Sequence, residues 1–172
     1  MNLVEEAVRH WEMFREGTIA ELENIPERDW DYRPEPGART LRELAVHIGA
    51  SGLIFASELA RPDTAFRRVF DTQARADAMK NYPRVESRAE VLDFVRKSGV
   101  EVARHMRELG SALETQGMAT RSGEQCKLSG FWFAIAHEMY HRGQVTAYER
   151  ALGLTPVMTR QTQAAQAQAA KP

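Results

Sequence analysis

Ser129-Gly130-Phe131-Trp132-Phe133-Ala134-Ile135-Ala136-His137-Glu138-Met139-Tyr140-His141-Arg142-Gly143-Gln144-Val145-Thr146-Ala147-Tyr148 carries both the helix and the chemistry around which this chain is organised. His137 and His141 are four residues apart. On a helix such residues lie about 40° apart around the axis, one turn above the other, so both imidazoles can reach one ion. Helical continuation sets Gln144 and Tyr148 on the same stripe, where they are candidates to line a pocket; for Tyr148 core packing is an equal alternative. The rest of the segment is aromatic or aliphatic on nearly every side, as in a helix buried within a bundle. An imidazole buried there without a bond costs on the order of 1–3 kcal/mol. A metal ion would supply the missing partner, and two packed core histidines are the plainer alternative.

Working outward, Ser129 is the expected N-cap of this helix, with Gly153 and Pro156 closing it. Upstream, Val4, Ala7, Trp11, Phe14, Leu22 and Ile25 recur at near-heptad spacing, interrupted by Thr18, and predict an amphipathic helix over residues 3–25 that Pro26 ends. The loop over 27–39 holds Pro34, Pro36 and Gly37, with Trp30 and Tyr32 placed to pack over the end of the core. Thr40 and Glu43 form a capping box, and the helix they open shows Leu41, Leu44, Ala45, Ile48, Gly52, Phe55 and Leu59 on one face. Residues 62–86 are weakly patterned and read as a long connection, with a short helix near 72–80 and Tyr82-Pro83 towards its end. Ser87 and Glu90 form a second capping box. The helix behind it places Val91, Phe94, Val95, Ser98, Val102, His105 and Leu109 on one face and ends at Gly110 or Gly117. Residues 117–128 read as a crossover without a convincing strand. Four long helices make an all-α bundle, expected over 1–157, with a flexible Ala/Gln-rich tail over 158–172 whose alanines could extend a helix.

Three neutral imidazoles suffice to hold a divalent ion with a position left for water or substrate. Beside His137 and His141, the third ligand could come from His47, His105 or His10, and spacing does not separate His47 from His105. His10 sits beside the apolar seam of the first helix, as an exposed histidine would. His137-Glu138-Met139-Tyr140-His141 also matches the short H-E-x-x-H protease pattern. The extended form fails, with Gln144 at its glycine and Ala147 at its last histidine, which argues against a peptidase.

The 23 Lys and Arg against 24 Asp and Glu leave a net charge of −1, and the arginines are scattered among acids, which argues against a nucleic-acid partner. Cys126 is the single cysteine, so a disulfide within the chain and a cysteine zinc cluster are both excluded. With no signal-peptide pattern at the start and no apolar run of membrane length, a cytoplasmic protein without a membrane partner is expected.

Three stretches resemble the DinB/YfiT-like superfamily of small helical metal-binding proteins. They are Ile25-Pro26-Glu27 through Trp30 to Pro36-Gly37-Ala38-Arg39-Thr40-Leu41-Arg42-Glu43-Leu44-Ala45-Val46-His47, then His137-Glu138-Met139-Tyr140-His141-Arg142-Gly143-Gln144, and the close Leu152-Gly153-Leu154-Thr155-Pro156. The resemblance implies a four-helix bundle of up-down-down-up, DinB/YfiT-like topology, often a homodimer. It implies a metal centre of His47, His137 and His141, returning His105 to the core or to the outer surroundings of the site. Zinc or nickel is the expected ion, with iron, manganese or copper as alternatives. Relatives with known reactions imply a transferase or hydrolase acting on a small molecule, among them S-transferases that use low-molecular-weight thiols such as bacillithiol or mycothiol. A non-catalytic metal-binding stress-response or interaction protein is the alternative. Glu138, about 100° from His137 around the helix, is the catalytic candidate, as a proton carrier or a group orienting an imidazole, with a surface salt bridge as its other reading. Arg142 points further away and is expected to pair with an acid on a neighbouring helix or at a dimer contact.

Overall fold

A computed structural model describes residues 2–80 and 85–170 of the chain. Four long helices dominate it: α1 (Leu3–Asn24), α2 (Leu41–Leu59), α4 (Arg88–Leu109) and α6 (Lys127–Ala151). Between and after them come α3 (Thr72–Met79), α5 (Ala112–Thr115), the strands β1 (Gly117–Thr120) and β2 (Gly123–Cys126), and α7 (Val157–Ala169). The principal packing pairs are α1–α4, α1–α6, α2–α4 and α2–α6, so α1 and α2 each lie against both α4 and α6.

The helix starts follow local chemistry. Asn2 accepts from the Glu5 amide at 3.1 Å and caps α1. Both capping boxes form: Thr40 and Glu43 exchange bonds of 3.1 and 2.8 Å, and Ser87 and Glu90 of 3.2 and 2.9 Å. Each satisfies two backbone donors that the first turn leaves open. Of the two glycines expected to stop α4, Gly110 does so, at φ +50°, a conformation that strains any residue with a Cβ.

The crossover expectation needs correction. Residues 117–126 pair as a short antiparallel hairpin, Gly117 opposite Cys126 and Thr120 opposite Gly123. Four-residue strands are too short to show an alternating pattern, and the turn relies on Gly123 at φ +110°. Pairing delivers Cys126 in extended conformation directly ahead of α6, so the helix starts at Lys127 rather than at a Ser129 cap. Lys127 is fully buried, and its ammonium donates at 2.8 Å to both the Arg61 carbonyl and Gln116 Oε1, tying the hairpin to the end of α2.

The apolar interior falls into two clusters. One centres on Trp11, Phe55, Met106 and Phe131, the other on Leu22, Trp30, Leu44 and Val95. Trp30 is wholly buried, its indole donating to the Ile25 carbonyl at 3.2 Å, so the loop closes the end of the core as its sequence suggested. The short helix expected near 72–80 is α3; Tyr82-Pro83 lies outside the described residues, as does Lys171-Pro172. The Ala/Gln-rich segment forms α7, and both Glu21 carboxylate oxygens accept from its first amides, Val157 at 2.6 Å and Met158 at 3.1 Å. A carboxylate at a helix N-terminus is favourably placed in the field of the helix dipole.

Glu21 stands beside a second buried acid, Glu149, which accepts from Asn24 at 2.6 Å through one oxygen. The other oxygen has no hydrogen-bond partner among the described residues. Burial pushes the Glu149 carboxyl up to about 7, and the Glu21 charge adds to it against the opposing Asn24 bond. A carboxyl raised in the folded state contributes stability that is fully present below its unfolded value and is lost as pH rises through about 7. Glu149→Gln should therefore melt a few degrees above the parent at pH 8, the size expected of about 1 kcal/mol in a domain this long. The gain should shrink as pH falls below about 7 and vanish only near 4.5, the unfolded value. Thermal unfolding followed by circular dichroism across that range checks both.

Candidate metal centre

His47 enters from α2, and His137 and His141 from α6. The helical spacing of the last two does what the sequence required, with ring centroids 4.3 Å apart. His47 is off the main apolar stripe of α2, but α2 is buried on almost every side, so a residue off the stripe still faces a neighbouring helix. That helix is α6. His47 Nε2 lies 3.0 Å from His141 Nε2, and His141 Nε2 lies 3.1 Å from His137 Nε2. One nitrogen from each of the three falls within 4.8 Å of the other two, a group positioned to hold a metal ion. Three converging nitrogens at this spacing suit a divalent ion with bonds of about 2.0–2.1 Å.

The ring of His141 is fixed as a metal ligand requires. His141 Nδ1 donates to Gln144 Oε1 at 2.7 Å, which leaves the Nε2 lone pair facing the cluster. Gln144 is one helical turn from His141, so the histidine stripe brings its own orienting group. Ser51 Oγ, one turn after His47, lies 3.4 Å from both ring nitrogens of His47. Arg75 Nη2 approaches His47 Nδ1 at 3.3 Å.

Electrostatics keep the imidazoles neutral. Burial, followed by the charge of Arg39, lowers His47 to about 3. Burial, followed by the neighbouring His141, lowers His137 to about 4. His141 is lowered too, chiefly by burial, with the Gln144 bond opposing. Neutral imidazole is the ligating form, so at pH 7 all three carry free lone pairs. Aromatic rings complete the surroundings: Phe55 and Phe133 stand 5.6 and 6.5 Å from the His137 ring, and Tyr140 stands 5.0 Å from His141.

The other singled-out residues lie elsewhere. Both oxygens of Glu138 accept from Arg15 of α1 at 2.9 Å, in a pair whose side chains are 2% and 4% exposed. That ion pair belongs to the interior rather than to the surface. Arg142 meets an acid on the neighbouring α1, Glu21, at 3.3 Å. Tyr148 donates to the Arg39 carbonyl at 3.0 Å and sets its ring edge-on to Tyr32 in the second apolar cluster. His105 does not join the centre and is not a core residue. It is half-exposed on α4, with Nε2 3.4 Å from Glu101. His10 is half-exposed, its Nδ1 2.8 Å from the Glu6 carbonyl oxygen, and it packs on Trp132.

Sequence reasoning passed over Ser51, Phe55, Arg39 and Arg75. Ser51 was detectable, one turn from His47; Arg75 lies in a weakly patterned connection that offers no such signal. Gln144→Ala should weaken Zn²⁺ or Ni²⁺ binding about 10–100-fold by releasing His141 Nδ1, and His47→Ala should weaken it further. Competition against a chromophoric chelator measures both.

Comparison with known proteins bears on the fold and the family of the chain. The chain resembles in structure a DinB-like protein from Bacillus subtilis, YjoA, with a TM-score of 0.67 at 18% identity over 87% of this chain and 93% of that one. It also resembles a candidate member of the DinB family from Exiguobacterium sibiricum 255-15, with a TM-score of 0.62 at 21% identity over 89% and 93% of the two chains. At these identities the likeness shows the fold alone. No curated protein matches the chain. The sequence model of the DinB family matches residues 1–171, and this chain belongs to that family.

Proposed function

We propose that this protein is a metal-dependent enzyme of the DinB type, a thiol S-transferase or a hydrolase acting on a small molecule. The observation that carries this reading is the convergence of His47, His137 and His141 at one point between α2 and α6. Among the described residues no cysteine, carboxylate or fourth histidine joins that group, which leaves any held ion a position for an exchangeable ligand. A divalent ion bound there would lower the pKa of a thiol or water and supply thiolate or hydroxide at neutral pH. The chain's own groups suit that chemistry. Arg39 and Arg75 add positive charge beside three neutral ligands, which favours an anionic nucleophile. Phe55 and Phe133 restrict water on one side. Zinc or nickel is the ion we favour, since a set of nitrogen donors suits either.

In this reading Glu138 positions α6 and is not the catalytic group, because both its oxygens are engaged by Arg15. The reading includes the family's four-helix bundle of up-down-down-up order, and what supports a bundle is that α1 and α2 each pack on both α4 and α6. Exposed Trp132 and Tyr140 on the outer face of α6 suit a homodimer contact. A second reading, an ion that only clamps the structure of a stress-response or interaction protein, has in its favour that the ligands bridge two different helices.

Assay of metal-loaded protein with a thiol and an electrophilic small molecule should show turnover that His137→Ala/His141→Ala abolishes. Loaded protein that turns over no thiol and hydrolyses no ester, yet melts well above the metal-free form, would favour the clamp. Glu138→Gln should destabilise by about 3–5 kcal/mol, the cost of leaving a buried guanidinium unpaired, and should lower zinc content per folded chain by loosening the orientation of α6. Chemical denaturation and elemental analysis read the two effects separately.

A further inference from the structure

A cavity of about 530 Å³ lies between the Phe66–Phe70 turn, the hairpin and the start of α6. The histidines are not part of its lining, but it shares a wall with their surroundings. Phe133 lines the cavity and stands 6.5 Å from the His137 ring, and Phe66 packs on Phe133 at 4.8 Å and on Phe55 at 6.2 Å. Phe70 completes the aromatic side at 6.1 Å from Phe133, with Met118 contributed by the hairpin. Phe70 is 55% and Phe133 39% exposed, so rings that belong to a core by type are left open to solvent at this place. A small molecule settling there would cover them, and the volume falls within the range of small-ligand sites.

The polar side of the cavity has one sign. Arg67 and Arg121 both line it, both are exposed, and neither has a hydrogen-bond or ion-pair partner among the described residues. That is unusual in this chain, where most arginines are engaged: Arg68 with Glu58, Arg61 with Asp63, Arg104 with Glu101 and Arg107 with Glu5 and Glu12. Two free guanidinium groups at the edge of an aromatic cavity match a planar oxyanion attached to an apolar body. With a net charge of −1 and one compact cavity, the feature does not suit a nucleic-acid strand.

We propose that this cavity binds a small organic carboxylate, its acid group at Arg67 and Arg121 and its apolar body along Phe66, Phe70 and Phe133 towards the metal centre. The cavity lies beside that centre, and a part for the acid in its reaction rests on the reading above, although binding itself needs no ion.

The test uses the full chain stripped of metal by chelator, with 3-phenylpropionate and the neutral 3-phenylpropanol as probes in titration calorimetry. The acid should bind at least tenfold tighter than the alcohol. Arg67→Ala/Arg121→Ala should remove that preference while leaving the alcohol unchanged, and its melting temperature should match the parent because both side chains are exposed and unpaired. Phe133→Ala should weaken both probes. Equal affinity for acid and alcohol in the parent, no detectable binding of either at millimolar concentration, or an undiminished preference in the double arginine variant overturns the proposal. Binding of the acid should persist in His137→Ala/His141→Ala; its loss there would also overturn an ion-independent site. Metal content of the same variant, measured separately, decides the histidine centre, so either reading can fail without the other.

Discussion

The Arg15–Glu138 ion pair is the constraint from which the geometry of the site follows. Two charged side chains taken almost wholly out of water are tolerated only when every polar atom is matched. Glu138 meets two guanidinium nitrogens, and the third, Nη1, donates at 2.7 Å to the Val95 carbonyl and to Ser98 Oγ on α4. The guanidinium also lies 4.8 Å over the Trp11 ring. Gly99 makes room for it, since a side chain there would collide with the Arg15 stem. One cation thus ties α1, α4 and α6 together at a single depth.

A second buried pair, Arg142 with Glu21, repeats the connection between α6 and α1 one turn further along. Glu138, Arg142 and the buried Glu149 share one side of α6, and His137, His141 and Gln144 occupy the neighbouring stripe. Rotating α6 by even one residue would pull both charged groups from their partners. Charge matching on the α1 side therefore fixes which way the imidazoles point on the α2 side. There they meet a residue that α2 could hardly direct elsewhere, because that helix is enclosed by its neighbours for most of its length. Desolvation then holds the cluster neutral, which is the state that ligates a cation.

Much of this was legible residue by residue. The boxes Thr40/Glu43 and Ser87/Glu90, the i,i+4 histidines and the closing Gly110 are local signals whose physics acts within a single turn, and each forms at its expected place. The hairpin was not legible, because four-residue strands carry too little pattern and their pairing is stabilised from outside, by buried Lys127 and by the bond from the Ala119 amide to the Thr64 carbonyl. Glu138 reads locally as a catalytic candidate or a surface salt bridge, and Arg142 as pairing with an unidentified acid on a neighbouring helix or at a dimer contact. Only the partners Arg15 and Glu21, more than a hundred residues away, make both of them interior.

By itself the sequence determined the long helices, the apolar faces that pack them and the two imidazoles a turn apart, because periodicity, capping and hydrophobic burial are properties of short windows. Spacing set His10 aside but did not separate His47 from His105 as the third ligand, and only the family resemblance pointed to His47. The tertiary structure supplies the physical reason for that choice. His105 ends up half-exposed beside Glu101, His10 beside Trp132, and His47 opposite His141. The physical reason is that the direction of a side chain across a helix interface depends on the rotation of both helices. In this protein that rotation is set by buried charge pairs between segments far apart in the chain.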